Sequence, residues 1–134
     1  MPAKRSILLV DDENSILETL RMVFEYEGYE VATAKNSTEA VGLIKKNGQF
    51  DAVITDLNME EEDIGLEVAR AAMKAEPRPA VVICTGFASM ANSRAALAMG
   101  VDYMAHKPVE LRELISALNR LISRYRELRG RNGR

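Results

Sequence analysis

Five residues of this chain have types and positions that could do chemistry together: Asp11, Asp12, Asp56, Thr85 and Lys107. Each stands where an apolar run gives way. "SILLV" runs into Asp11-Asp12, "AVIT" into Asp56, "AVVIC" into Thr85-Gly86, and "VDYMAH" into Lys107-Pro108. Three carboxylates drawn to one place repel, raising one another's pKa or recruiting a cation. The set holds no thiolate or imidazole, so the matching cation is a hard one such as Mg²⁺, which keeps waters and shares a substrate phosphate. Lys107 adds a compact positive charge, Thr85 adds a hydroxyl donor, and Gly86 leaves room beside them. A metal site next to an anion site is what phosphoryl transfer needs. A metal-paired carboxylate can attack phosphorus and become an aspartyl phosphate. Asp56 is the better nucleophile, because it stands alone between the acidic pair and Lys107.

The elements that must position these residues alternate along the chain. Residues 6–10 read as a strand, and Ile16, Leu17, Leu20, Val23 and Phe24 follow at helical spacing up to Gly28. Residues 29–34 alternate as a half-buried strand does. Asn36 and Glu39 form a capping pair for a helix through Ile44 that stops near Asn47-Gly48. Residues 52–55 make a third strand and 65–76 a third helix, closed by Pro77 and Pro79. Residues 80–84 form a strand covered on both faces, and a helix from about Met90 to Met99 ends at Gly100. The weakest strand pattern spans 101–106. A long last helix carries Leu111, Leu114, Ile115, Leu118, Leu121, Ile122, Tyr125 and Leu128 on one stripe.

Five strand–helix units with no internal repeat predict one α/β domain, a doubly wound parallel sheet with helices on both faces. In the flavodoxin-like (βα)5 strand order, 2-1-3-4-5, strands 1 and 3 are neighbours about 5 Å apart. Asp11, Asp12 and Asp56 then converge beyond the carboxyl ends of the strands, where open sheets bind ligands.

Size and composition agree with this. The chain has 134 residues, 47% hydrophobic and 28% charged, enough for a single core. Cys84 is the only cysteine, so no internal disulfide forms. The apolar run at 7–10 is too short for a signal peptide and nothing approaches a membrane span, so the expected location is cytoplasmic. Residues 120–134 hold six arginines against Glu127, or +5, while the whole chain carries −2 and the remainder therefore −7. No aromatic or groove-reading pattern accompanies the basic end, so it reads as helix C-terminal charge and not as a nucleic-acid surface.

These pieces, "ILLVDDE", "AVITDLNM", "VVICTGFASM" and "AHKPVELREL", resemble the receiver domain of two-component response regulators over residues 5–122. Forty-four residues separate Asp12 from Asp56 and 22 separate Thr85 from Lys107, both usual for that family. The resemblance implies that Asp56 accepts a phosphoryl group from a phosphohistidine on a histidine kinase or histidine phosphotransfer protein. It implies Mg²⁺ held by Asp11, Asp12, Asp56 and the backbone carbonyl of Asn58, with Thr85 and Lys107 on the phosphoryl oxygens. It also implies a cis Lys107-Pro108 bond and a signalling surface on helix 4, strand 5 and helix 5. That surface would serve an output domain, a downstream protein or a homodimer. The domain is expected over 1–129, with 130–134 a basic tail.

Two departures stand out. The loop after Asp56 carries Glu60, Glu61, Glu62 and Asp63, and its glycine, Gly65, comes one residue later than the family's. The family's aromatic residue three before the lysine is Met104 here, with Tyr103 one place earlier on the opposite face. Phe87 stands where it could shield the site from water. Rival readings are a metal-dependent phosphatase of the haloacid dehalogenase type, whose D-x-D motif "DDENS" lacks, and a degenerate receiver acting only as a binding module. Cys84 reads as a buried apolar residue and His106 as a solvated strand end.

Overall fold

A computed structural model describes residues 4–47, 49–59, 64–86 and 90–132. Gly48, the acidic loop 60–63 and Phe87 lie outside the described residues. The elements follow in order: β1 (Ser6–Val10), α1 (Asn14–Tyr26), β2 (Glu30–Ala34), α2 (Ser37–Asn47), β3 (Ala52–Asp56), α3 (Gly65–Lys74), β4 (Ala80–Thr85), α4 (Met90–Met99), β5 (Tyr103–His106) and α5 (Leu111–Asn132). All ladders are parallel, as the alternation predicts, and the strand order is β2-β1-β3-β4-β5, the flavodoxin-like order expected.

Strand alternation sorts the apolar residues into two layers. One face of the sheet presents Leu8, Val10, Val53, Val81 and Ile83 to Ile44 of α2, Val68 and Ala72 of α3, and Ala96 of α4. The other presents Ile7, Leu9, Ile54, Val82 and Cys84 to Leu17 and Phe24 of α1 and to Leu114, Leu118 and Ile122 of α5. Every residue of β3 and β4 is buried, which explains their unbroken apolar runs. Each fully buried aliphatic side chain of these strands contributes about 1.5–3 kcal/mol.

Boundaries shift where hydrogen bonds outlast the apolar pattern. β3 extends to Asp56 and β4 to Thr85, each one residue beyond its expected end, so both functional side chains sit on ladder residues. α3 ends at Lys74, two residues short of expectation, and β5 starts only at Tyr103. Gly28 and Gly100 end α1 and α4 with φ of +95° and +87°. The capping expectation for α2 is met by Asn36, whose Oδ1 accepts the Glu39 N–H at 2.8 Å.

α5 runs unbroken through residue 130 to Asn132. Two acids that precede strands hold its C-terminal half. Asp51, just before β3, accepts from Arg126 Nε (2.9 Å) and Nη2 (2.8 Å), from Arg129 Nη2 (3.4 Å) and from the Ser6 N–H (2.8 Å). Asp102, just before β5, accepts from Arg78 Nη1 (3.0 Å), the Tyr125 hydroxyl (2.7 Å) and the Val81 N–H (2.8 Å). Arg126 and Arg129 are therefore anchors of the helix to the sheet, a role beyond solubility and helix dipole.

Candidate functional site

The carboxyl ends of β1, β3, β4 and β5 bring the site together. Asp11 follows β1 directly, its N–H bonded to the Ala34 carbonyl of β2 at 3.2 Å. Its Oδ1 accepts the Glu13 N–H at 3.0 Å. α1 begins without a side-chain cap, so capping does not explain the acidic pair. Asp56 ends β3 opposite Cys84, and the Leu57 N–H bonds the Cys84 carbonyl at 3.0 Å. Asp11 and Asp56 are buried while Asp12 is exposed. One oxygen from each of the three lies within 4.8 Å of the others.

Lys107 reaches into this cluster. Its Nζ donates to Asp11 Oδ2 at 3.1 Å and to Asp56 Oδ2 at 3.1 Å. The Lys107 N–H bonds the Thr85 carbonyl at 2.9 Å, and the Lys107-Pro108 peptide is cis, as the resemblance implies. A Cβ on Gly86 would meet Lys107 Cβ and Cδ at 3.7 Å, an ordinary contact, so the lysine does not need the glycine's space. Thr85 is buried, one residue beyond the Cys84–Asp56 register and paired in the ladder with His106. The Asn58 N–H donates to Asp56 Oδ1 at 3.4 Å.

Burial, and then the charge of Asp11, raise the Asp56 pKa above the ordinary carboxylate value against the pull of Lys107. Burial lowers that of Lys107, but its bond to Asp56 and the two carboxylate charges outweigh this and leave it raised. Burial pushes the Cys84 thiol up to about 12, so it is an inert core group. His106 is exposed, as read. The cluster thus holds three acids and one lysine, with an excess of negative charge that a cation would relieve. Its oxygen-only donors suit a hard ion. The three carboxylate oxygens are close enough together that Asp11, Asp12 and Asp56 could share one such ion.

The sequence reading missed two features. Gly65 was noted only for its spacing, yet its N–H bonds the Leu57 carbonyl at 2.8 Å and locks α3 behind Asp56. The Asp51 and Asp102 clusters were also missed. Their only signal was an acid placed just before each of two apolar strands.

A family profile described as "Response regulator receiver domain" matches residues 7–119. The chain belongs to this family, and with it to the receiver domains of two-component signalling. Response regulator MprA of Mycobacterium sp. (strain KMS) is 35% identical over 124 residues, 92% of this chain and 52% of that protein. Photosynthetic apparatus regulatory protein RegA of Rhodobacter capsulatus is 32% identical over 114 residues, 85% of this chain and 61% of that protein. The chain thus spans about half to three-fifths of these relatives. The crystal structure of a CheY-like receiver domain protein from Methanospirillum hungatei JF-1 superposes with a TM-score of 0.86 at 28% identity, covering 93% of this chain and 98% of that one. Nothing in fold or family supports the phosphatase alternative. Among the described residues, no helix is long and apolar enough to cross a membrane.

Proposed function

We propose that Asp56 is the phosphoryl acceptor of this receiver and that a histidine kinase or histidine phosphotransfer protein is the donor. The observation that carries the reading is the convergence of Asp11, Asp12 and Asp56 with Lys107 bridging two of them at 3.1 Å. Asp11, Asp12, Asp56 and the Asn58 carbonyl would hold Mg²⁺, which when bound neutralises the carboxylates and the incoming phosphoryl oxygens. Asp56 Oδ attacks phosphorus, the P–N bond of phosphohistidine breaks, and its electron pair returns to the imidazole. The product is a mixed carboxylic–phosphoric anhydride. Lys107 then trades Asp56 for a phosphoryl oxygen while keeping Asp11, and the Thr85 hydroxyl takes another.

The output surface is α4, β5 and α5, the domain's proposed end at residue 129 falling inside α5, and it serves an output domain, a downstream protein or a second copy in the cytoplasm. Met104 packs with the α2–α4 layer and Tyr103 with the α1/α5 layer. The aromatic partner of the threonine is therefore replaced by methionine, and Tyr103 does not take its place.

The test pairs two measurements on Asp12→Asn, Thr85→Ala and native protein: Mg²⁺ affinity by titration, and labelling rate with phosphoramidate, whose P–N bond mimics phosphohistidine. Asp12→Asn should lose Mg²⁺ affinity and rate together, and Thr85→Ala should lose rate with affinity kept. Native protein that binds Mg²⁺ but takes no label would instead be a binding module.

A further inference from the structure

A cavity of about 630 Å³ opens beside Asp56 on the α1/α5 side of the sheet. Its floor is Leu9, Ile54 and Cys84, one residue from each of the three central strands, all on the same face. Ile16 and Leu20 wall it on α1, and Val109 and Leu111 wall it across the gap. Short side chains, Ser15 and Thr19 on α1 and Val109 after Pro108, also line it. Among the described residues the charged lining is Asp11, Asp56 and Lys107, with Asp12 in the same carboxylate cluster.

The volume lies within the range of small-molecule pockets, about 300–1,000 Å³, whose lining is likewise mostly apolar with a few polar groups at fixed points. Hydrocarbon placed against the partly exposed Ile16, Leu20, Val109 and Leu111 leaves water favourably. The charged end carries Asp11 and Asp56 against Lys107, with Asp12 close by in the carboxylate cluster, so the complementary head group is a cation. We infer that this cavity binds amphiphilic organic ammonium ions, the hydrocarbon held between Ile16 and Leu20 on one side and Val109 and Leu111 on the other, above Leu9, Ile54 and Cys84, and the ammonium on Asp11 and Asp56. The head then occupies the place proposed above for Mg²⁺, and the two exclude each other. That exclusion rests on the magnesium reading, whereas the seating of the hydrocarbon does not.

The test uses 4-phenylbutylamine, its carboxylate analogue 4-phenylbutyrate and the neutral 4-phenylbutan-1-ol, followed by amide chemical shifts. The amine should bind at least tenfold more tightly than the carboxylate, with shifts at Leu9, Ile54 and Val109, and Mg²⁺ should weaken it competitively. Val109→Phe fills the gap and should weaken the amine at least tenfold while Mg²⁺ affinity stays native. Thr19→Leu serves the same purpose from α1 if Val109→Phe misfolds. Equal binding of amine and carboxylate, or unchanged binding in both filled variants, overturns the inference. Amine binding in a protein that fails to bind Mg²⁺ would overturn the magnesium reading and leave the cavity assignment standing.

Discussion

A Cβ on Gly65 would stand 2.0 Å from the carbonyl oxygen of Asp56 and 2.8 Å from Leu57 Cα. The first residue of α3 therefore backs onto the peptide that leaves the acceptor strand, and backbone cannot yield as a side-chain tip does. Gly65→Ala should cost about 1–3 kcal/mol and slow labelling by turning Asp56. Gly42, inside α2, has nothing within 4 Å of such a Cβ. Gly42→Ala should add about 0.5–1 kcal/mol. Denaturant unfolding of both variants decides the matter, and a Gly65→Ala protein as stable as native would refute the packing argument.

Lys107 partly offsets the charge of Asp11 and Asp56. Its pKa is raised, so its stabilisation is complete below the ordinary lysine value of about 10.4 and fades only as pH rises through the higher folded value. Lys107→Ala should cost the metal-free protein about 1–2 kcal/mol at neutral pH. The variant should also bind Mg²⁺ more tightly, because a competing cation is gone. Calorimetric titration checks this, and weaker Mg²⁺ binding would contradict it.

Asp56, whose pKa is also raised, acts in the same direction, but in the acid range. Its folded pKa lies above the unfolded value, so the group favours folding below the ordinary carboxylate value and loses that contribution as pH rises through the folded one. At pH 7 without metal, Asp56→Asn should therefore raise Tm, by about 2–5 °C for roughly 1 kcal/mol in a domain of this size. Saturating Mg²⁺ should erase the difference by stabilising the native protein. Thermal melts with and without the ion make the comparison.

Much of this was legible because the signals are local. The five apolar runs are strands, their alternation with helices gives the parallel sheet, and Asp11, Asp12, Asp56 and Lys107 stand at strand ends on one edge of it. The illegible part is pairwise and distant. Nothing near Asp51 announces Arg126, 75 residues away, and nothing near Arg78 announces Tyr125, 47 residues away, whose ring its guanidinium also covers at 5.1 Å. Strand ends drifted by one residue because the apolar pattern stops before the ladder does.

The Asp51 cluster gives an acid-sensitive lock on α5. Burial raises the Asp51 pKa, but the bonds from Arg126 and the Ser6 N–H outweigh it and leave the value lowered. Its contribution is therefore present above the ordinary carboxylate value, near 4, and is lost as pH falls through the lower folded value. Asp51→Asn should cost about 2–4 kcal/mol at neutral pH, with the gap from native narrowing in acid below about pH 4. Urea melts across that range test the sign. A gap that widens in acid would refute it.

The most direct test of the central claim is intact-mass analysis after incubation with phosphoramidate and Mg²⁺, on native protein and on Asp56→Ala. Native protein should gain one phosphoryl group, lost on chelating the metal beforehand, and the variant none. A label that persists in Asp56→Ala, or that peptide mapping places on another residue, would contradict it.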